Sequence, residues 1–241
     1  MIATARRLSR FAGSLRTCTS GLALTEFAMS VPVLLTLGLF GLETANYAMA
    51  HLRISNIAMM TADNAARVRD SIDEADIVEL FTGAKMTGSS INFAQNGRII
   101  LTDIEMSPIN SARQWIRWQR CDGALDVAPS YGRPITVAGT NITNGTEIFG
   151  SDRQTPSVTP SSWVLSSLTN FGGSWAPISA QSGTAVMLVE VTYNYQPIIP
   201  NSFLSGRQIR YESAFNVRQR TDQTLRNIGR ITPRSCNTFA A

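Results

Sequence analysis

Histidine is almost missing from this chain. Its single copy, His51, is the only imidazole a catalytic triad could use, and no GxSxG nucleophile turn accompanies it. Cysteine is scarce too. Cys18, Cys121 and Cys236 form no CxxC pair and no Cys/His cluster, which excludes a zinc site built on such ligands. Lys85 is the only lysine among 21 basic residues. A phosphate loop sets a lysine behind its glycines, and the glycine-bearing stretches at 139–150 and 171–173 have none. Negative charge is absent from the first 21 residues, which hold Arg6, Arg7, Arg10 and Arg16. With those four taken from the 21 basic residues, 17 remain against 17 acids. The body is therefore neutral and lacks the basic excess of a nucleic-acid-binding domain. No motif points to an enzyme, and no cofactor or metal is expected.

What is present is a folded chain with one unusual segment. Hydrophobic residues make up 44% of the 241 positions, with 17 glycines and 10 prolines, a composition that can build a core. The unusual segment is Gly21 to Leu42, GLALTEFAMSVPVLLTLGLFGL. Phe27 to Leu42 carries no charge, and Glu43 closes the run. A helix over 22–42 would span about 31 Å at ~1.5 Å per residue, close to the hydrocarbon thickness of a bilayer. Arginines before such a run hold that end in the cytoplasm. Pro32 removes a backbone hydrogen bond and predicts a kink or local loosening. Gly38 and Gly41 offer thin places where another helix could pack. Glu26 is the costly residue, because a carboxylate within an apolar span invites a functional explanation.

Three readings fit the segment. It is a secretory signal cut after Ala48-Met49-Ala50, or a plain membrane anchor, or a prepilin-type segment cut after Gly21. The third accounts for most residues. Gly21 is followed by Leu22, Ala23, Leu24 and Thr25, and then by Glu26 and Phe27. That order resembles the prepilin peptidase signature, a glycine, a cut, and glutamate at the fifth residue beyond it. With the Val-Pro-Val-Leu-Leu run, residues 15–60 resemble the TadE-like family of tight-adherence (Flp-type) pilus assembly proteins, which are pseudopilins. The strings WQRCDG and VTYNYQPIIP with IRYESAF are similar to that family more weakly, and 124–183 not at all.

The resemblance implies a minor pseudopilin, cleaved after Gly21 by a prepilin peptidase, with Gly21, Leu22, Glu26 and Phe27 as the processing site. It implies packing through Pro32, Gly38 and Gly41 against other pilin and pseudopilin helices, alongside the tight-adherence secretion machinery. The chain would sit in the inner membrane as a single pass, N-terminus cytoplasmic, body periplasmic or extracellular. Cleavage would place a new α-amino group on Leu22, one helical turn from Glu26, where the two charges can neutralise each other. The alternative is a membrane-anchored extracytoplasmic binding module unrelated to pili.

The expected fold is α+β: a long membrane helix followed by an antiparallel-sheet, pilin-like domain. The expected divisions are a basic leader over 1–21, the transmembrane helix over 22–42, a helical extension over 43–82, and the α+β domain over 83–241 with a variable insert at 124–183. Ser71-Ile-Asp-Glu74 resembles a capping box and predicts a break in the extension. The acidic cluster Asp70, Asp73, Glu74, Asp76, Glu79 reads as a solvated helix face. Asn96-Gly97 predicts a hairpin between strands at 89–94 and 98–105. The stretch 111–120 reads as a strand or packing helix. Further strands are expected at 134–137, 147–149, 184–195 and 208–216, with helix at 161–169 and 224–228. The clearest strand, 184–195, sets Glu190, Thr192 and Asn194 against Val191, Tyr193 and Tyr195. His51 is expected at an exposed or interfacial helix position. Cys121 and Cys236 are either a disulfide, if the body is exported, or two unrelated thiols.

Overall fold

The computed structural model describes residues 20–106, 114–131, 134–136, 154–155, 180–200 and 204–240. The chain divides into two compact units, Met1–Asn46 and Tyr47–Ala241. Helix α1, Ser20–Arg67, runs through the division. Its 48 residues extend about 72 Å at ~1.5 Å each. Pro32 lies inside it, and the expected loosening there does not end the helix.

In the second unit, Ala50, Ile54, Ile57, Ala58, Ala62, Ala65 and Ala66 recur at three- and four-residue steps and are buried. This stripe packs on one face of a four-stranded antiparallel sheet. The strands are β2 (Gly97–Met106), β3 (Gln114–Asp122), β6 (Ala185–Asn194) and β7 (Gln208–Asn216), in the order β3-β2-β6-β7. Ile99, Leu101, Trp118, Met187, Val189 and Val191 meet the helix side. The opposite face carries Ile100 and Cys121 in one cluster, and Ile104, Ile116, Val186 and Leu188 in another, with Tyr131 and Ala180 over the latter. The fold is thus α+β, with one long apolar N-terminal helix and an antiparallel sheet.

The helical extension expected over 43–82 is broken. α1 ends at Arg67, Asp70 turns the chain at φ 59°, and Ile72–Asp73 forms the short strand β1. Helix α2, Glu74–Thr87, then begins under a capping box at Asp73, not Ser71. The Asp73 carboxylate accepts from Ala75 N–H at 3.0 Å, and Asp76 accepts from Asp73 N–H at 2.8 Å. Gly83 lies inside this helix, which runs past the expected end of the extension at residue 82.

The strand expected at 89–94 is instead a 3₁₀ turn, Ser89–Ile91, and the short helix α3, Phe93–Asn96, joined at Asn92 with φ 52°. Phe93 explains the difference. Its buried ring fills the space where side chains at Gly88 and Gly97 would begin, so the two glycines frame an aromatic plug and no hairpin forms. The helix expected at 224–228 is replaced by strand β8, Leu225–Arg226, parallel to β1. A tertiary pairing overrides local propensity there, because Ile72 and Leu225 are both core residues. Strands β4 (Ile135–Thr136) and β5 (Gln154–Thr155) pair with each other. The elements expected at 147–149 and 161–169 lie outside the described residues.

Candidate functional site

In α1, the residues from Gly21 to Leu42 present apolar side chains on every side. Phe27 is 65% exposed, Leu35 60% and Leu42 53%. A helix that is apolar and exposed all round is not the amphipathic helix of a water-soluble domain. It is long and apolar enough to cross a membrane. Its hydroxyls are satisfied inside the helix. Thr25 donates to Leu22 O at 2.7 Å, Ser30 to Phe27 O at 3.0 Å, Thr36 to Pro32 O at 2.7 Å, and Thr44 to Phe40 O at 2.8 Å. Such back-bonding lets polar atoms lie in an apolar medium without a water partner.

Gly21, Leu22, Glu26 and Phe27 fall within the first two turns, all exposed. The helical backbone brings Leu22 and Glu26 to i and i+4 positions, as the spacing implies. Pro32 is exposed. At Gly38 and Gly41 nothing lies within 4 Å of an added Cβ, so both leave open notches in the helix surface.

The sheet domain holds a second set of features. A disulfide joins Cys121 of β3 to Cys236, 115 residues later, with Cα atoms 4.7 Å apart. It ties the C-terminal tail across the outer face. Arg98 reinforces the tie from below, fully buried. Its guanidinium donates to Gly123 O at 2.8 Å, Cys236 O at 2.9 Å and Thr238 O at 2.7 Å, and lies 4.4 Å from the Phe239 ring. Cys121 N–H donates to Arg234 O at 3.0 Å, so the tail also covers the outer edge of β3.

Glu190 on β6 is buried, not solvent-facing as its place in the alternation suggested. One carboxylate oxygen accepts from Ser130 N–H at 3.1 Å and from Arg210 at 3.0 Å, while the other has no hydrogen-bond partner. Burial pushes its carboxyl up to about 7, against the opposing pull of Ser130 and Arg210. Arg210 also reaches Glu212, which accepts from the Tyr131 hydroxyl.

Glu74, read as part of a solvated acidic face, is buried in an ion pair with Arg120, whose Nε donates at 2.8 and 3.1 Å. His51 is half-buried. A ring nitrogen lies 3.1 Å from the Tyr211 hydroxyl, and the ring meets Tyr47 edge-on at 4.5 Å. Burial lowers its pKa, because desolvation disfavours the charged ring. Between α1 and α2 lies a cavity of about 390 Å³, lined by Ile57, Met60, Val68, Leu80, Asp76 and Glu79 among others. Among the described residues no group of three or more His, Cys, Asp or Glu side chains could hold a metal.

Local pattern could not have found Arg98, Arg120 or Glu190, because each acts through partners far away in sequence. Compared with protein-family models, curated proteins and solved structures, the chain matches none.

Proposed function

We propose that this chain is a minor pseudopilin of the TadE-like kind, taking part in assembly of a tight-adherence pilus. The observation that carries the reading is the exposed apolar helix, headed by Gly21 and holding one acid, Glu26, at the fifth position beyond it. The arginine-rich leader stays on the cytoplasmic side, a prepilin peptidase cuts after Gly21, and Leu22 becomes the N-terminus. Its new ammonium group neutralises Glu26, within its own helix or on a neighbouring subunit, so that neither charge is stranded in lipid. The helix anchors the chain in the inner membrane and later packs with other pilin helices through Gly38 and Gly41. The sheet domain stands on the extracytoplasmic side, where a disulfide between Cys121 and Cys236 is chemically stable.

Intact-mass measurement and N-terminal sequencing of the mature protein from its native membrane test this reading. Loss of residues 1–21, with Leu22 first, is the expected result. A chain that still begins at Met1 or Ile2, or that starts at His51, sinks the processing step. Pilus formation undisturbed by deletion of the gene would favour the anchored binding module instead.

A further inference from the structure

We propose that the free edge of β7 pairs with β7 of a second copy of this chain. The four-stranded sheet has two edges, and they are treated differently. The β3 edge is closed by the tail, through Cys121 N–H to Arg234 O and an antiparallel bridge between Gly123 and Ala240. Among the described residues nothing covers β7 in this way. Tyr195 N–H donates to Arg207 O, and Val217 N–H to Ala185 O. With the β6–β7 register, these bonds fix the alternation: odd-numbered residues of β7 bond to β6 and even-numbered ones point outward. Gln208, Arg210, Glu212, Ala214 and Asn216 therefore present their N–H and C=O groups away from the sheet. Among the described residues no backbone group pairs with them. The strand runs nine residues without proline or lysine, and its register with β6 shows no bulge. Those are the usual devices that blunt an edge against pairing.

The charges on the strand select the occupant and the register. In an antiparallel pair centred on Tyr211, Arg210 stands opposite Glu212 of the second copy, and Glu212 opposite its Arg210. Gln208 meets Ala214, and the two Tyr211 rings face each other. Sliding the pair two residues one way sets Glu212 against Glu212, and the other way Arg210 against Arg210. Like charges directly opposite are unfavourable, and opposite charges favourable, so one register is preferred over both neighbours. Four even-numbered pairs would exchange about eight backbone hydrogen bonds. The contact is isologous, which closes the assembly at two copies and extends the sheet across a two-fold axis. Arg210 is able to serve both copies. It is 41% exposed and spends one nitrogen on Glu190 and Glu212 of its own copy, and among the described residues the rest of its fork makes no bond, so it can share the partner's Glu212 carboxylate with that copy's own Arg210 and Tyr131. The pairing requires nothing from the pilus reading, and processing after Gly21 can fail or hold without bearing on it.

The test uses the full chain in detergent, with Cys18→Ser to silence the leader thiol. In the proposed register the two Tyr211 Cα atoms are about 4.5 Å apart, within reach of a disulfide. Tyr211→Cys should therefore cross-link to a covalent dimer on mild oxidation, whereas Arg210→Cys, offset from its own copy, should not. Ala214→Pro removes an outward N–H without touching the β6 ladder, and should leave a folded monomer by sedimentation. Arg210→Glu and Glu212→Arg should each weaken dimerisation about tenfold, and a mixture of the two should regain it as a heterodimer. Near-UV circular dichroism shows whether each variant remains folded. A folded, monomeric parent chain overturns the proposal. So does a dimer that survives Ala214→Pro, which would place the contact on the apolar helix, or equal cross-linking at 210 and 211.

Discussion

Replacing Glu190 by glutamine should remove a pH dependence that this one buried carboxyl imposes on the sheet domain. In the fold its pKa stands at about 7, raised first by burial, against an ordinary value of 4.5. The folded state therefore holds a proton that the unfolded state has already released between those two values. The contribution of this one group to stability is highest below pH 4.5, declines as pH rises toward 7, and is flat and lowest above it. At 1.36 kcal/mol per pH unit the gap corresponds to at most about 3 kcal/mol. Glutamine keeps an oxygen for Ser130 N–H and Arg210, and places a neutral amide at the oxygen that lacks a partner. Near pH 5 the variant should match the parent, because the parent carboxyl is then protonated. At pH 8 it should be more stable by about 1–3 kcal/mol. Denaturant unfolding of the full chain in micelles, followed by tryptophan emission with buried Trp118 as reporter, measures both conditions. Parallel pH profiles for parent and variant between pH 5 and 8 would refute the reasoning.

Other substitutions probe the remaining buried features. Glu74→Ala strands the Arg120 guanidinium without its carboxylate and should cost about 3–5 kcal/mol in the same unfolding assay. Cys236→Ser opens a loop closed across 115 residues and should cost about 4 kcal/mol, with reductant reproducing the effect in the parent chain. Gly123→Ala forces a side chain into a backbone at φ 106°, with the new Cβ 2.3 Å from Gly97 O, and should lower the melting temperature by the equivalent of about 1–3 kcal/mol from the backbone alone.

Where the chain states its structure locally, it can be read. The β-branched and aromatic run at 184–195 is β6, and 208–216 is β7 residue for residue. The uncharged run after Phe27 is the exposed part of α1. Reading failed where a distant partner decides. Glu190 looks like the polar beat of a half-buried strand, yet both faces of β6 are covered. Glu74 looks like one acid among five, yet Arg120, 46 residues on, draws it inside. Asn96-Gly97 carries the dipeptide of a hairpin, but the ring of Phe93 needs Gly97 for its lack of a side chain. A long apolar N-terminal helix and an antiparallel sheet were thus legible from pattern. The polar clamps that finish the domain belong to pairings that no window of sequence contains.

The strand order has a consequence for how the chain is made. β2 and β3 are neighbours in sequence as well as in space, and so are β6 and β7, but β2 meets β6 only after the whole stretch between Met106 and Ala185 has been synthesised. Two hairpins can therefore form early and separately, and the slow event is their docking. Until then the edge of β2 that β6 will occupy has no partner strand, an interval in which the growing chain is vulnerable to association with others. Cys236 arrives after both hairpins. Its bond to Cys121 encloses β6 and β7 in a single covalent ring, so that a hairpin docked once cannot drift away again.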